Sequence, residues 1–361
     1  MTAAYVALEG GSVVEARCRA PGTSHGELVF TTAYTGYEES LTDPSYEEQV
    51  LTFAYPLIGN YGVREERFED EDVHPSAVAA RELTDDVAEW LESEGVPAVD
   101  KLDTRDLVGQ IREGGAMKCG ISAGPDASPE KAKEALADCP GMSDHTDIGA
   151  QVSVAHCETH YPDDEAAADE GPDVALVDCG AKGSIVESLL ERGATVHVLP
   201  YDVTPGEVAD LDPDVLFVSN GPGDPANFEA AQSLVDEFVG EVPLAGICLG
   251  QQIIARALGG TTEKMDFGHR GVNQPVRDLR TDKVVMTTQN HGYTVAEPGR
   301  LDVTQVNVND DTPEGLESED LDIITRQYHP EANPGPHDTL GFFDDVLELA
   351  GSERRTPVAA D

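Results

Sequence analysis

From Val174 onward, short apolar runs alternate with helical segments: VALVDCG, SIVESLLERG, ATVHVLP, DVLFVSNGPG, AAQSLVDEFVG, PLAGICLG and QQIIARALGG follow in quick succession. Runs this apolar and this short fit strands buried on both faces, and the segments between them are long enough to be the covering helices. The rhythm predicts a parallel sheet with crossover helices. VVMTTQ, LDVTQVNV and DIITRQYHP read as later strands, TLGFFDDVLELAG as a closing amphipathic helix, and SERRTPVAAD as a frayed tail.

The chain before this point has a different texture. Apolar alternation in AYVALEGGSVVEARC, ELVFTTAY and QVLTFAY is mixed with two helical patterns, with Thr84 and Thr104 expected as their caps. Between the halves lies HCETHYPDDEAAADEGPD, acidic, rich in small residues and carrying two prolines, the composition of a solvated connection. The expected organisation is a mixed α/β domain over 1–152, an acidic linker over 153–173, a second α/β domain over 174–352 and a tail over 353–361.

Charge narrows the function. Seventy acidic residues against 23 basic ones give a formal charge of -47, spread through both halves. Binding to nucleic acid or to an anionic membrane needs clustered Lys and Arg, so neither is expected as a partner. Self-repulsion of this size is relieved at molar salt, where the Debye length is about 3 Å, and a salt-rich cytoplasm accounts for the charge. With no basic leader and no run near the roughly 20 apolar residues of a membrane span, a soluble cytoplasmic protein is expected. The six cysteines lack paired spacing, so a disulfide framework is not expected. Cys157, His156 and His160 match no zinc pattern, and no metal is expected.

Four segments could carry chemistry. In PLAGICLGQQIIARALGG an apolar strand runs into Cys248, flanked by Gly246 and Gly250 and followed at once by a helix. This Gly-x-Cys-x-Gly pattern suits a tight strand-to-helix turn presenting a nucleophile at the sheet's carboxyl edge; the alternative is a buried core cysteine. In QYHPEANPGPHD, His329 and Glu331 lie two apart, as if on one face of a strand end, which suits a carboxylate orienting an imidazole, though a surface turn would also account for it. LFVSNGPGDP bares backbone N–H groups around Gly221 and Gly223 and could form part of an oxyanion hole, a phosphate loop or a plain turn. QNHGY, Gln289 to Tyr293, could line a polar pocket, with His291 equally suited to a structural hydrogen bond.

Together SNGPGDP, GICLGQQ, QNHGY and HPEANPGP resemble the class I glutamine amidotransferases over about residues 174–350. The resemblance implies a doubly wound α/β domain in which Cys248, His329 and Glu331 form a catalytic triad that hydrolyses L-glutamine. It implies substrate contacts at Gly221, Gly223, Leu249, Gln252, Asn290, Gly292 and Tyr293, with the N–H groups of Gly221 and Leu249 as oxyanion donors. Two departures stand out: Gln251 where many relatives have His, and Cys179 at an often aromatic position.

The first half, through GELVFTTAYTGYEESLTDPSYEEQVLTFAYPLIGNYGV and LDTRDLVGQIREGGAMKCGI, is similar to the N-terminal domain of the carbamoyl-phosphate synthetase small-subunit family. That similarity implies a further glutamine contact at Ser45 and a large synthetase subunit as partner in a heterodimer. It implies no cofactor in this chain, ATP and Mg on the large subunit, and a product feeding arginine and pyrimidine synthesis. Two alternatives stay open: the amidotransferase subunit of another synthase, such as anthranilate synthase, and a non-catalytic regulatory partner.

Overall fold

A computed structural model describes residues 3–164 and 171–351; the expected tail over 353–361 and residues 165–170 of the expected linker lie outside the described residues. The chain forms two compact units. The first comprises Met1–Thr146 with Met265–Val272 and Asn333–Gly335, and the second comprises Asp147–Lys264, Asn273–Ala332 and Pro336–Asp361.

In the first unit seven strands close into a barrel: β1 (Ala3–Leu8), β2 (Val13–Ala20), β3 (Gly22–Thr31), β4 (Gln49–Phe53), β5 (Ala77–Ala79), β6 (Ala98–Asp100) and β7 (Met117–Ala123), in the order β1-β2-β6-β5-β4-β3-β7. Closure follows because β1 pairs antiparallel with both β2 and β7. Strand periodicity sorts the apolar side chains into two clusters. Leu28, Phe30, Val50, Ala77 and Ala79 fall in one with Leu107 and Ile111, while Val29, Leu51 and Val78 fall in the other with Val87 and Leu91. The helices are α1 (Tyr37–Leu41), α2 (Asp85–Ser93), α3 (Thr104–Gly114) and α4 (Pro129–Asp138). The cap expected at Thr104 is Asp103 instead, whose carboxylate accepts from Asp106 N, so Thr104 is already helical. Thr84 holds the cap position of α2, but its hydroxyl turns to Gly59 O.

The second unit contains α5 (Ile148–Val152), β8 (Glu158–His160), β9 (Asp173–Asp178), α6 (Gly183–Leu190), β10 (Thr195–Pro200), α7 (Pro205–Leu211), β11 (Val215–Val218), α8 (Glu229–Phe238), β12 (Leu244–Ile247) and α9 (Leu249–Ala257). It continues with the two ends of β13 (Thr261–Asp278), whose middle, Met265–Val272, belongs to the first unit, and then with β14 (Val284–Glu297), β15 (Asp302–Asn307), β16 (Pro313–Ser318), β17 (Ile323–Arg326) and α10 (Gly341–Ala350). The sheet order is β14-β13-β15-β16-β17-β12-β11-β9-β10-β8. Strands β10, β9, β11, β12 and β17 run parallel, the doubly wound core that the apolar rhythm requires. Ile185 and Leu189 of α6 and Phe342, Phe343 and Val346 of α10 pack with Leu176, Phe217, Ala245 and Ile247 of the strands. Helix α9 lies against β11, β12 and α8.

Two details depart from the sequence reading. The stretch expected as a linker contains β8, which pairs antiparallel with β10; all three of its residues are exposed, so no apolar alternation marks it. Helix α5, inside the expected first domain, belongs to the second unit, where Val154 N just beyond it donates to Asp178 Oδ2 at 2.7 Å.

Candidate active site

Strand β12 delivers Cys248 directly to the start of α9. The residue sits at φ 54°, ψ -104°, a backbone state that costs a non-glycine residue about 1–3 kcal/mol and survives only where its surroundings impose it. Here Cys248 N donates to Arg326 O of β17 at 2.7 Å, pinning the turn to the neighbouring strand. Gly250 is needed for the same turn: a Cβ there would lie 2.0 Å from Val218 O. The thiol, 1% exposed, reaches Asn290 O at 3.7 Å.

His329 and Glu331 lie just beyond β17, which ends at Arg326: His329 makes an isolated antiparallel bridge to Thr288, and Glu331 falls in the turn that follows and not on the strand end expected for it. The turn is fixed by His329 N donating to Thr288 O and by Ala332 N donating to His329 O. His329 Nδ1 and Glu331 Oε1 are 2.6 Å apart, and both side chains are buried. Nδ1 is thereby committed to the carboxylate, leaving Nε2 as the atom available for chemistry. Nε2 has no protein partner of ordinary hydrogen-bond geometry, yet the Cys248 sulfur interacts with the ring. Burial opposes a charge on His329, but Glu331 and the Cys248 sulfur outweigh it and raise the imidazole to about 10.

Glu331 has a second partner that sequence reasoning did not find. Lys182, 2% exposed, donates through Nζ to Glu331 Oε1 at 3.2 Å and to Ala332 O at 2.8 Å. Burial alone would push the carboxyl up; Lys182 and then His329 reverse that and hold it at about 2. The backbone N–H of Lys182 donates to Asn220 Oδ1 at 3.1 Å, tying this cation to the SNGPGDP loop. Only one signal pointed to it: a chain with seven lysines places one immediately after a parallel strand, at the sheet edge where the other motifs gather.

The structure gathers most of the other expected residues around the elbow. Gly221 approaches Leu249 so closely that a Cβ on Gly221 would lie 2.9 Å from Leu249 Cδ2, so the two N–H groups expected as oxyanion donors belong to neighbouring residues. Gly223, in the same loop, packs on Ile148. Asn290, Gly292 and Tyr293 lie on β14. Gln252 Nε2 donates to Tyr293 O at 2.8 Å and to Gln327 Oε1 at 3.0 Å, so this amide holds β14 in place. His291 engages Tyr293 O and Gln289 Oε1 through its two ring nitrogens, the structural arrangement weighed for it above. Gln251 accepts from Thr325 Oγ1 at 3.0 Å within the buried contact between α9 and β17. Cys179 is buried in the core, which pushes its thiol well above its ordinary value. Ser45 belongs to the first unit, on a buried 3-10 turn (Pro44–Tyr46) where Asp43 accepts from its N–H at 2.9 Å.

A strained cysteine elbow at the carboxyl edge of a doubly wound sheet, with a His–Glu pair on the adjacent strand's exit, defines the class I glutamine amidotransferase domain, and the family model of that description matches residues 175–349. Residues 6–121 match the model described as the carbamoyl-phosphate synthase small chain, CPSase domain. Over its full length the chain is 71% identical to a carbamoyl phosphate synthase small chain of Halobacterium salinarum, covering 100% of both. It is 42% identical to those of Archaeoglobus fulgidus (96% of this chain, 98% of the relative) and Methanosarcina acetivorans (97% and 99%). The chain belongs to the carbamoyl phosphate synthase small-chain family.

Proposed function

We propose that this chain hydrolyses the side-chain amide of L-glutamine with Cys248 as nucleophile and hands the ammonia to the large chain of carbamoyl phosphate synthase. The observation that carries the mechanism is the buried line from His329 through Glu331 to Lys182, with the buried Cys248 sulfur acting on the same imidazole.

Each residue has a part that follows from its contacts. His329 Nε2 takes the thiol proton, the Cys248 sulfur attacks the amide carbon, and the same nitrogen returns the proton to the departing ammonia. Glu331 holds Nδ1–H and so fixes which ring nitrogen is basic; it also stabilises the imidazolium. Lys182 keeps Glu331 ionised and positions it. The N–H groups of Gly221 and Leu249 receive the charge that builds on the carbonyl oxygen. Water, with His329 now acting as base towards it, then hydrolyses the thioester to glutamate.

Ammonia released into neutral water becomes mostly ammonium, which has no lone pair for attack, so the product must pass on under cover. A shielded path to the large chain follows. ATP and Mg belong to that chain, where bicarbonate is activated for carbamoyl phosphate synthesis. The match of residues 6–121 to the small-chain model favours this acceptor over that of another synthase such as anthranilate synthase, since the triad alone does not choose. Intact nucleophile, base and carboxylate weigh against a purely regulatory role. A cytoplasmic site of action suits these substrates; no helix among the described residues is long and apolar enough to cross a membrane.

The test is glutamate release from glutamine at molar KCl, for wild type and Cys248→Ala, each with and without the large chain and ATP. Activity that needs Cys248 and rises with the large chain is expected. Equal hydrolysis by Cys248→Ala would overturn the mechanism.

A further inference from the structure

Two loops leave the second unit's sheet side by side, one after β9 and one after β11, and two side chains of the latter tie them together. Ser219 and Asn220, both fully buried, follow β11, and Ser219 N continues the strand pairing by donating to Val177 O at 3.1 Å. The Ser219 hydroxyl accepts from Cys179 N at 2.9 Å, and Asn220 Oδ1 accepts from Lys182 N. Gly221 comes next, pressed so closely on the first loop that a Cβ there would lie 1.9 Å from Cys179 O.

The Ser219 hydroxyl has one hydrogen to give, and it goes to Asn220 O at 2.7 Å. That carbonyl shares a peptide plane with the Gly221 N–H. The bond is trans, so C=O and N–H point in opposite directions, and whatever holds the carbonyl aims the N–H. Glycine fixes its own peptide plane poorly, because it admits backbone angles that other residues do not. Among the described residues the Gly221 N–H donates to no backbone carbonyl, so no bond of that kind holds the plane from the other end. Turned over, the plane would present Asn220 O, a partial negative charge, where negative charge is to be received.

We infer that Ser219 is a positioning residue for glutamine hydrolysis: its hydroxyl, anchored on Cys179 N, holds the Asn220–Gly221 peptide so that the Gly221 N–H faces the carbonyl oxygen of the bound amide. The inference rests on the glutaminase reading above and adds to it the group that keeps one oxyanion donor in aim. Such donors act because they are in place before charge develops, and a buried hydroxyl with backbone partners on both sides keeps this one there.

The experiment compares steady-state glutamate release at molar KCl by wild type, Ser219→Ala and Ser219→Thr, each as the full chain alone and with the large chain and ATP. In parallel, alkylation of Cys248 by iodoacetamide is followed by mass spectrometry of the peptide that carries it. Alkylation joins sulfur to the methylene carbon and expels iodide, so it reads the thiolate and needs no oxyanion donor. Ser219→Ala should lose about ten- to a hundredfold in kcat, short of the roughly 10²–10³ lost when a donor is removed outright, with KM and the alkylation rate within about twofold of wild type. Ser219→Thr keeps the hydroxyl and should stay within about threefold of the wild-type kcat. Wild-type kcat in Ser219→Ala, an equal loss in Ser219→Thr, or an alkylation rate that changes as much as turnover would overturn the assignment, the last by making Ser219 a residue of the fold alone. A wild-type chain that releases no glutamate in either setting would overturn the glutaminase reading itself.

Discussion

Lys182 and Glu331, 149 residues apart in sequence, meet at 3.2 Å with neither side chain more than 3% exposed. Two charges this deeply buried gain little net stability as a pair, but removing one partner strands the other. The pair therefore reads as a positioning device: it brings an ionised carboxylate to His329 at a place where burial would otherwise neutralise it.

Lys182→Met should therefore destabilise the chain by about 3–5 kcal/mol, the usual cost of breaking a buried pair, and should alter its acid response. Glu331 is held below its ordinary 4.5, at about 2, so its contribution is present above about pH 4.5 and lost as pH falls towards about 2. Without Lys182 the carboxyl rises, and the acid limb of the glutaminase pH profile moves to higher pH. A profile with its acid limb unmoved would mean that Lys182 is only a packing residue.

Glu331→Gln keeps the size of the side chain and removes its charge. The amide cannot hold the imidazolium, so kcat for glutamine hydrolysis should fall by about 10⁴, the scale seen when a triad carboxylate becomes an amide, with KM little changed. Steady-state kinetics on the isolated chain, and again with the large chain, would check both numbers.

Much of this site could be read from the sequence because its parts announce themselves locally. The apolar runs before Cys248 and before Gly221 required parallel strands, and glycines at 246 and 250 implied an elbow; the strained backbone of Cys248 bears that out. His329 and Glu331 were legible as a pair through their spacing, but the end of β17 at Arg326 was not, because pairing with the neighbouring strands decides it. Lys182 was hidden because its partner is far away in sequence and no local pattern encodes the distance. Closure of the barrel was hidden for a similar reason, since it depends on β1 finding β7 across more than a hundred residues. Strand β8 escaped because a fully exposed edge strand has no apolar alternation to read.

In the first unit, His74 stands between Glu47, 2.9 Å from Nδ1, and Asp70, 2.7 Å from Nε2. Burial opposes its charge, but the two carboxylates prevail and raise it from 6.5 to about 9. A group raised in the folded state contributes stability that is fully present below about pH 6.5 and lost as pH rises through about 9. His74→Gln should thus lower the thermal midpoint at pH 7 and make almost no difference at pH 10. A variant with the same deficit at both pH values would show that the ring's shape matters and its charge does not.

The surface charge carries the last expectation. At 0.1 M salt the Debye length is about 10 Å, long enough for exposed carboxylates to repel their neighbours, whereas at 1 M it is about 3 Å and only groups in near contact still do so. With 70 acidic residues and 23 basic ones, repulsion dominates at any surface distance between those lengths. The folded state concentrates that charge more than the unfolded chain does, so screening stabilises it. The thermal midpoint should climb steadily as KCl rises from 0.1 to 1 M, most steeply at the low end where the Debye length shrinks fastest. Replacing a block of exposed acidic residues on α2 and α8, such as Glu89, Glu92 and Glu237, by Gln should flatten that climb while leaving the midpoint at high salt nearly unchanged. A midpoint indifferent to KCl would remove screening as the reason for the charge.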